Sequence, residues 1–125
     1  MFKDLFKLAI ILLVLDTVFV SFVVKPFFLP IISGIQGKPI LVDELSVGLC
    51  YVLVVIGIYY FIIREKKTPK QAFLLGFIIY AVYETTSKAL FSNWNYKMVI
   101  IDSLWGGILF YLTTTIYYKL VSNGF

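Results

Sequence analysis

Four ionisable side chains interrupt stretches of this sequence that are otherwise apolar: Asp16, Glu84, Lys88 and Asp102. At the centre of a bilayer each charged side chain costs at least about 2.5–3.5 kcal/mol, so such residues are expected to face one another or a cavity. Carboxyl groups gathered there can bind a proton, a cation or a polar group, and a pair of them can serve as acid and base. These four residues are therefore the first candidates for a site.

The expected depths of these residues indicate a common location. Counted at about 1.5 Å per helical residue from the outer ends of the apolar stretches, Asp16 lies roughly 12 Å deep, Glu84 about 10 Å, Asp102 about 8 Å and Lys88 about 5 Å. Three different stretches thus bring a carboxyl group to nearly the same level of the outer leaflet. Acids placed by chance would be expected to lie at different depths.

Glu84 and Lys88 stand four residues apart in the sequence YETTSK, a spacing that places two side chains on one helical face. The pair is predicted to neutralise each other, although Lys88 can also extend outward to the headgroups. Tyr80, Tyr83 and Ser87 add hydroxyl groups to the same segment. Because three acids face one base, we expect at least one carboxyl to be protonated or a cationic group to be bound.

A shared pattern links the first and the last apolar stretch: LDTVF at 15–19 and IDSLW at 101–105. If the two helices run antiparallel, Phe19 lies level with Asp102 and Trp105 lies level with Asp16. Each carboxyl is then predicted to pack against the aromatic side chain of the other helix. The ligand-binding candidates are Asp16, Glu84, Lys88, Asp102, Trp105, Tyr80, Tyr83 and Ser87.

Several chemistries are disfavoured by residue usage. The sequence has no histidine and a single cysteine, Cys50, which is expected to pack as a small apolar side chain. We therefore expect no metal and no cofactor. Any acid–base chemistry would fall to carboxylates, tyrosine and serine or threonine hydroxyls, or Lys88, and the residues leave open whether the protein is an enzyme.

The composition indicates an integral membrane protein. Of 125 residues 61% are hydrophobic and 14% charged, and four apolar stretches near 5–24, 42–63, 71–91 and 98–118 each approach the length that crosses a bilayer. The first stretch is too long for a signal peptide, and Asp16 interrupts it. The predicted fold is an all-α, antiparallel bundle of four transmembrane helices, with residues 1–125 forming one domain.

The basic residues predict the orientation. Seven lie on the side of the termini and the middle loop REKKTPK, and three lie on the other side. The first group is Lys3, Lys7, Arg64, Lys66, Lys67, Lys70 and Lys119, and the second is Lys25, Lys38 and Lys97. Because cytoplasmic loops carry the excess of basic residues, both termini are predicted to be cytoplasmic. The net positive charge is thus a topology signal, and no nucleic-acid partner is expected.

Two segments join the helices on the outer side. KPFFLPIISGIQGKP contains three prolines, which predict an irregular connection, and its apolar residues place it in the interface or over the mouth of the bundle. It is interpreted as a connector anchored by Phe27 and Phe28, with a lid as the alternative. SNWNYK is interpreted as a turn in the aromatic belt, with headgroup binding at Trp94 as the alternative.

The elements that carry the acids resemble those of a known family. LDTVF, YETTSKALF and IDSLWGG are similar in order and spacing to the LD-x-x-W, YD-x-T-N-x-A-T-L and VD-x-x-WG elements of the DUF2177 family of small predicted membrane proteins. The sequence departs from these elements at Phe19, Glu84, Ser87 and Lys88. The resemblance covers nearly the whole chain. It implies four helices and a shared polar cluster, and it implies no particular activity.

Three functions remain open at this point. The acids could form a site for a lipid headgroup, a polar solute or a proton, and lipid modification is one activity that such a site would support. They could instead hold together a structural protein of a cellular or virion membrane, or line an oligomeric pore. Membrane lipid is the expected partner, and copies of the chain or other membrane proteins are the alternatives. The plasma membrane is the expected location, with a virion membrane as the alternative.

Overall fold

The computed structural model of the chain describes residues 2–37 and 43–124. This part of the chain forms four helices and contains no β-strand. The helices are Phe2–Gln36, Glu44–Ile63, Pro69–Leu90 and Tyr96–Ser122. The first, second and fourth are long and apolar enough to cross a membrane, whereas the third, which carries YETTSK, is less apolar. The protein is therefore all-helical, with three candidate membrane-spanning helices in the described ranges.

Short polar residues fix the starts of the last three helices. Asp43 caps the second helix by accepting hydrogen bonds from the amide and hydroxyl of Ser46, which hold the pKa of Asp43 below its ordinary value. Thr68 and Gln71 form a reciprocal capping box before the third helix, which begins at Pro69. Asn95 caps the fourth helix by accepting from the amide of Met98.

The first helix differs from the prediction. It was expected to end near residue 24, before an irregular segment rich in proline, but it continues to Gln36. Pro26 lies within a π-helical stretch, Val20–Phe28, whose wider turns accommodate the missing donor, and Pro30 lies in the first turn of the α-helical segment that follows. The helix ends at Gly37, where φ is 71°. Pro39, the third proline of that segment, lies outside the described residues.

Glycines bring the third and fourth helices into backbone contact. A Cβ atom added to Gly76 would lie 2.2 Å from the carbonyl oxygen of Gly106. A Cβ atom added to Gly106 would meet the Tyr80 side chain at 2.3 Å, and one added to Gly107 would meet the Phe73 ring at 2.8 Å. Gly106 and Gly107 thus permit the close approach of the third and fourth helices.

The first helix packs against both the second and the fourth. An apolar core at this contact is centred on Leu8, Leu12, Ile58, Leu109 and Phe110. The outer faces of the helices present large apolar side chains instead, for example Phe22, Leu53 and Val82. Such a continuous apolar exterior is typical of a surface in contact with lipid.

Candidate functional site

Glu84 is the most deeply buried acid, with 1% of its side chain exposed. Its Oε2 accepts a hydrogen bond of 2.6 Å from the indole Nε1 of Trp94, which lies in the connection between the third and fourth helices. Trp94 is itself buried and lies edge-on to Phe28 of the first helix. The indole N–H of Trp94 therefore holds the Glu84 carboxyl group in place, and Phe28 of the first helix packs against the indole ring.

Asp102 lies beside Glu84. The two carboxyl groups lie close to each other across the interface of the third and fourth helices. Two carboxylates this close repel each other in a medium of low dielectric constant. The arrangement therefore favours the binding of a proton or a cationic group between them.

Asp16 is held by two donors from different helices. The hydroxyl of Tyr51 in the second helix donates to its Oδ2 at 2.5 Å, and the indole Nε1 of Trp105 in the fourth helix donates to its Oδ1 at 3.0 Å. The predicted contact of Asp16 with Trp105 is confirmed. Because Asp102 and Trp105 are three residues apart on one helix, the three acids lie within about one helical turn of each other in depth.

The position of Phe19, the other aromatic residue of the shared pattern, differs from the prediction. Phe19 was predicted to pack against Asp102, but its ring stacks on Trp105, with centroids 4.7 Å apart and an angle of 7° between the planes. Phe19 and Asp16 are three residues apart on one helical face, so a single indole can receive the ring and donate to the carboxyl. Trp105 thus stacks on Phe19 and donates a hydrogen bond to Asp16.

The predicted pairing of Glu84 with Lys88 is wrong. Within residues 2–37 and 43–124, no ion pair joins the two side chains. The ammonium group of Lys88 instead lies 5.1 Å from the centroid of the Tyr96 ring, at the C-terminal end of the third helix. A flexible lysine near a helix end can reach the interface, where its charge is solvated, and Glu84 has a rigid donor in Trp94.

A cavity of about 390 Å³ gives access to this cluster between the second, third and fourth helices. Its wall is formed by Cys50, Val54, Ile79, Tyr80, Tyr83 and Asp102. Asp102 is the one acid of the cluster that lines it. A larger cavity of about 630 Å³ lies between the first and second helices, but its lining is apolar except for Tyr51, whose hydroxyl is bound to Asp16.

The remaining candidate residues divide between the cavity and the helix contact. Tyr80 and Tyr83 line the cavity, and Tyr80 also packs edge-on to Phe110. Ser87 is buried one helical turn beyond Tyr83. Lys88 points away from the cluster, toward Tyr96. The structure therefore gathers seven of the eight candidates at the cluster or beside it and separates Lys88.

Three residues at the site were not predicted to belong to it. Trp94 was interpreted as part of an interfacial turn, and its position ten residues after a buried glutamate is the only signal that the sequence offers. Tyr51 carries no local signal, because its partner Asp16 is 35 residues away. Cys50 was expected to be buried as a small apolar side chain, whereas it is exposed at the cavity wall.

Comparison with known proteins identifies the family. The model of a family described as "Predicted membrane protein (DUF2177)" matches residues 1–119. No curated protein and no solved structure matches the chain. Because the family model covers nearly the whole sequence, including all three helices that carry the acids, this chain belongs to the DUF2177 family of predicted membrane proteins.

Proposed function

We propose that the chain crosses the membrane four times as an antiparallel bundle with both termini in the cytoplasm. The third helix has 22 residues, which span about 33 Å and suffice for the hydrocarbon core. Its contacts with the fourth helix run in opposite order, since Glu84 meets Asp102 while Phe73 meets Gly107. The excess of basic residues beside the termini and the middle loop supports the orientation.

Cysteine labelling tests this topology. In a Cys50→Ala background, Lys66→Cys is expected to react only after the membrane is permeabilised, and Asn93→Cys is expected to react in intact cells. Both positions are exposed in turns, so the structure limits neither reaction. Reaction of residue 66 from outside with protection of residue 93 would reverse the orientation.

We propose further that the acid cluster binds the primary ammonium group of a lipid headgroup that enters the cavity from the membrane. One observation carries this proposal. Asp16 and Glu84 are already hydrogen-bonded by fixed donors, Tyr51, Trp105 and Trp94, whereas Asp102 lines the cavity. The acids thus divide into two that accept hydrogen bonds from fixed donors of the protein and one that faces the cavity.

The lining of the cavity suits an ammonium group. A carboxyl group beside the tyrosines at 80 and 83 combines a charged acceptor with aromatic rings, both of which attract cations. An ammonium group there would offset the repulsion between the neighbouring carboxyl groups of Glu84 and Asp102. Val54 and Ile79 provide apolar wall for the hydrocarbon part of the same lipid.

Lipid retention measures this binding. The purified chain is released from nanodiscs containing equal amounts of phosphatidylethanolamine and phosphatidylcholine, and bound lipid is counted by native mass spectrometry. Asp102→Asn keeps the shape of the side chain and removes its charge, so it should reduce retention of phosphatidylethanolamine relative to phosphatidylcholine about tenfold.

The matched control is Asp43→Asn, which makes the same change at an exposed helix cap, where asparagine is an equally good cap. It should retain both lipids as the unmodified protein does. If Asp102→Asn also leaves retention unchanged, the cluster is packing only, and the proposed site is wrong.

A further inference from the structure

A groove separate from the two cavities lies where the first helix extends past the start of the fourth helix. It has a volume of about 360 Å³. Val23, Phe27 and Ile31 form one side at intervals of four residues along the first helix, and Ile101 is part of the other side. These positions make a continuous apolar strip about 12 Å long on the first helix.

The groove has a polar, positively charged end. Asn95 and Lys97 line it at the start of the fourth helix. The Oδ1 of Asn95 accepts the hydrogen bond from Met98 that caps the helix, and the amide nitrogen of the same side chain is a donor. Lys97 carries the positive charge at this end.

We propose that this groove binds an anionic glycerophospholipid. Its phosphate would lie against Lys97 and the Asn95 amide, and an acyl chain would run from Phe27 past Val23 toward Ile101, deeper in the bundle. Charge complementarity at the polar end and the apolar strip together select a lipid, because a soluble anion would use only the first and a neutral lipid only the second. This site is separate from the Asp102 cavity and takes a headgroup of opposite charge.

Competitive lipid retention tests the proposal. The purified full chain is equilibrated in nanodiscs of phosphatidylglycerol and phosphatidylcholine, and bound lipids are counted by native mass spectrometry. The unmodified protein is expected to retain phosphatidylglycerol preferentially. Lys97→Gln should reduce that preference about fivefold, because one lysine near an anionic lipid surface contributes about this much.

Three further arms decide the identity of the site. Lys119→Gln makes the same change on an exposed lysine near the end of the fourth helix, and Asp102→Asn alters the other cavity; both should keep the preference. An excess of glycerol 3-phosphate should displace no lipid, because it lacks acyl chains. The proposal is overturned if the unmodified protein retains the two lipids equally or if glycerol 3-phosphate displaces the lipid. It is also overturned if Lys119→Gln loses as much of the preference as Lys97→Gln, or if Asp102→Asn loses the preference.

Discussion

Gly76→Ala is expected to lower the free energy of unfolding by about 3 kcal/mol, the upper part of the range for overpacking. The added methyl group would lie 2.2 Å from the carbonyl oxygen of Gly106 and 2.6 Å from the Phe110 ring. A backbone carbonyl cannot rotate out of the way, so the third and fourth helices must separate. That separation would also loosen the Glu84 and Asp102 contact. Unfolding in mixed micelles, followed by circular dichroism, measures the change.

Gly57→Ala provides the matched control on the second helix. A Cβ atom there meets nothing within 4 Å, so the substitution brings only the better helix propensity of alanine. We expect it to be neutral or stabilising by up to about 1 kcal/mol. Equal effects of the two substitutions would contradict the close contact between the third and fourth helices.

The second large effect is expected for the hydrogen bond between Glu84 and Trp94. Trp94→Phe leaves a buried carboxyl without its donor, and Glu84→Leu leaves a buried indole N–H without its acceptor. Each single change should cost about 2–3 kcal/mol. The double variant should cost less than the sum, with a coupling energy of about 1.5–3 kcal/mol, because it leaves neither group unpaired.

A second double-mutant cycle, which combines Glu84→Leu with Lys88→Leu, is the control. Since Lys88 contacts Tyr96 and forms no ion pair with Glu84, the effects of Glu84→Leu and Lys88→Leu should add to within about 0.5 kcal/mol. The contact of Glu84 with Asp102 is lost in both cycles and cancels. If the effects on the free energy of unfolding were additive for Glu84 with Trp94 and coupled for Glu84 with Lys88, the ion pair predicted from the sequence would be correct.

Much of the site follows from counting residues along helices. A constant rise per residue placed Asp16, Glu84 and Asp102 near one level, and the structure brings Glu84 and Asp102 into contact and Asp16 against Trp105. This inference needs only helix geometry and the positions of the acids along the chain.

The contacts that could not be predicted depend on other elements. Helical spacing offers Glu84 a partner four residues away, but its donor is Trp94, which a turn brings back over the helix end. Tyr51 reaches Asp16 from a helix whose rotation no local pattern determines. The first helix was predicted to stop because proline removes a donor, and the widened turns of Val20–Phe28 have no sequence signature that would have indicated otherwise.

The distance between Asp102 and a lipid ammonium group tests the proposed site most directly. Solid-state NMR on bilayers containing ¹⁵N-labelled phosphatidylethanolamine can measure dipolar dephasing of the ¹³C-labelled Asp102 carboxyl carbon by the headgroup nitrogen. A charge-assisted hydrogen bond places these two nuclei roughly 4 Å apart, so strong dephasing is expected at Asp102 and none at Asp16, which is enclosed by its own donors. An Asp102 signal that is as unaffected by the labelled headgroup as that of Asp16 would contradict the proposed function.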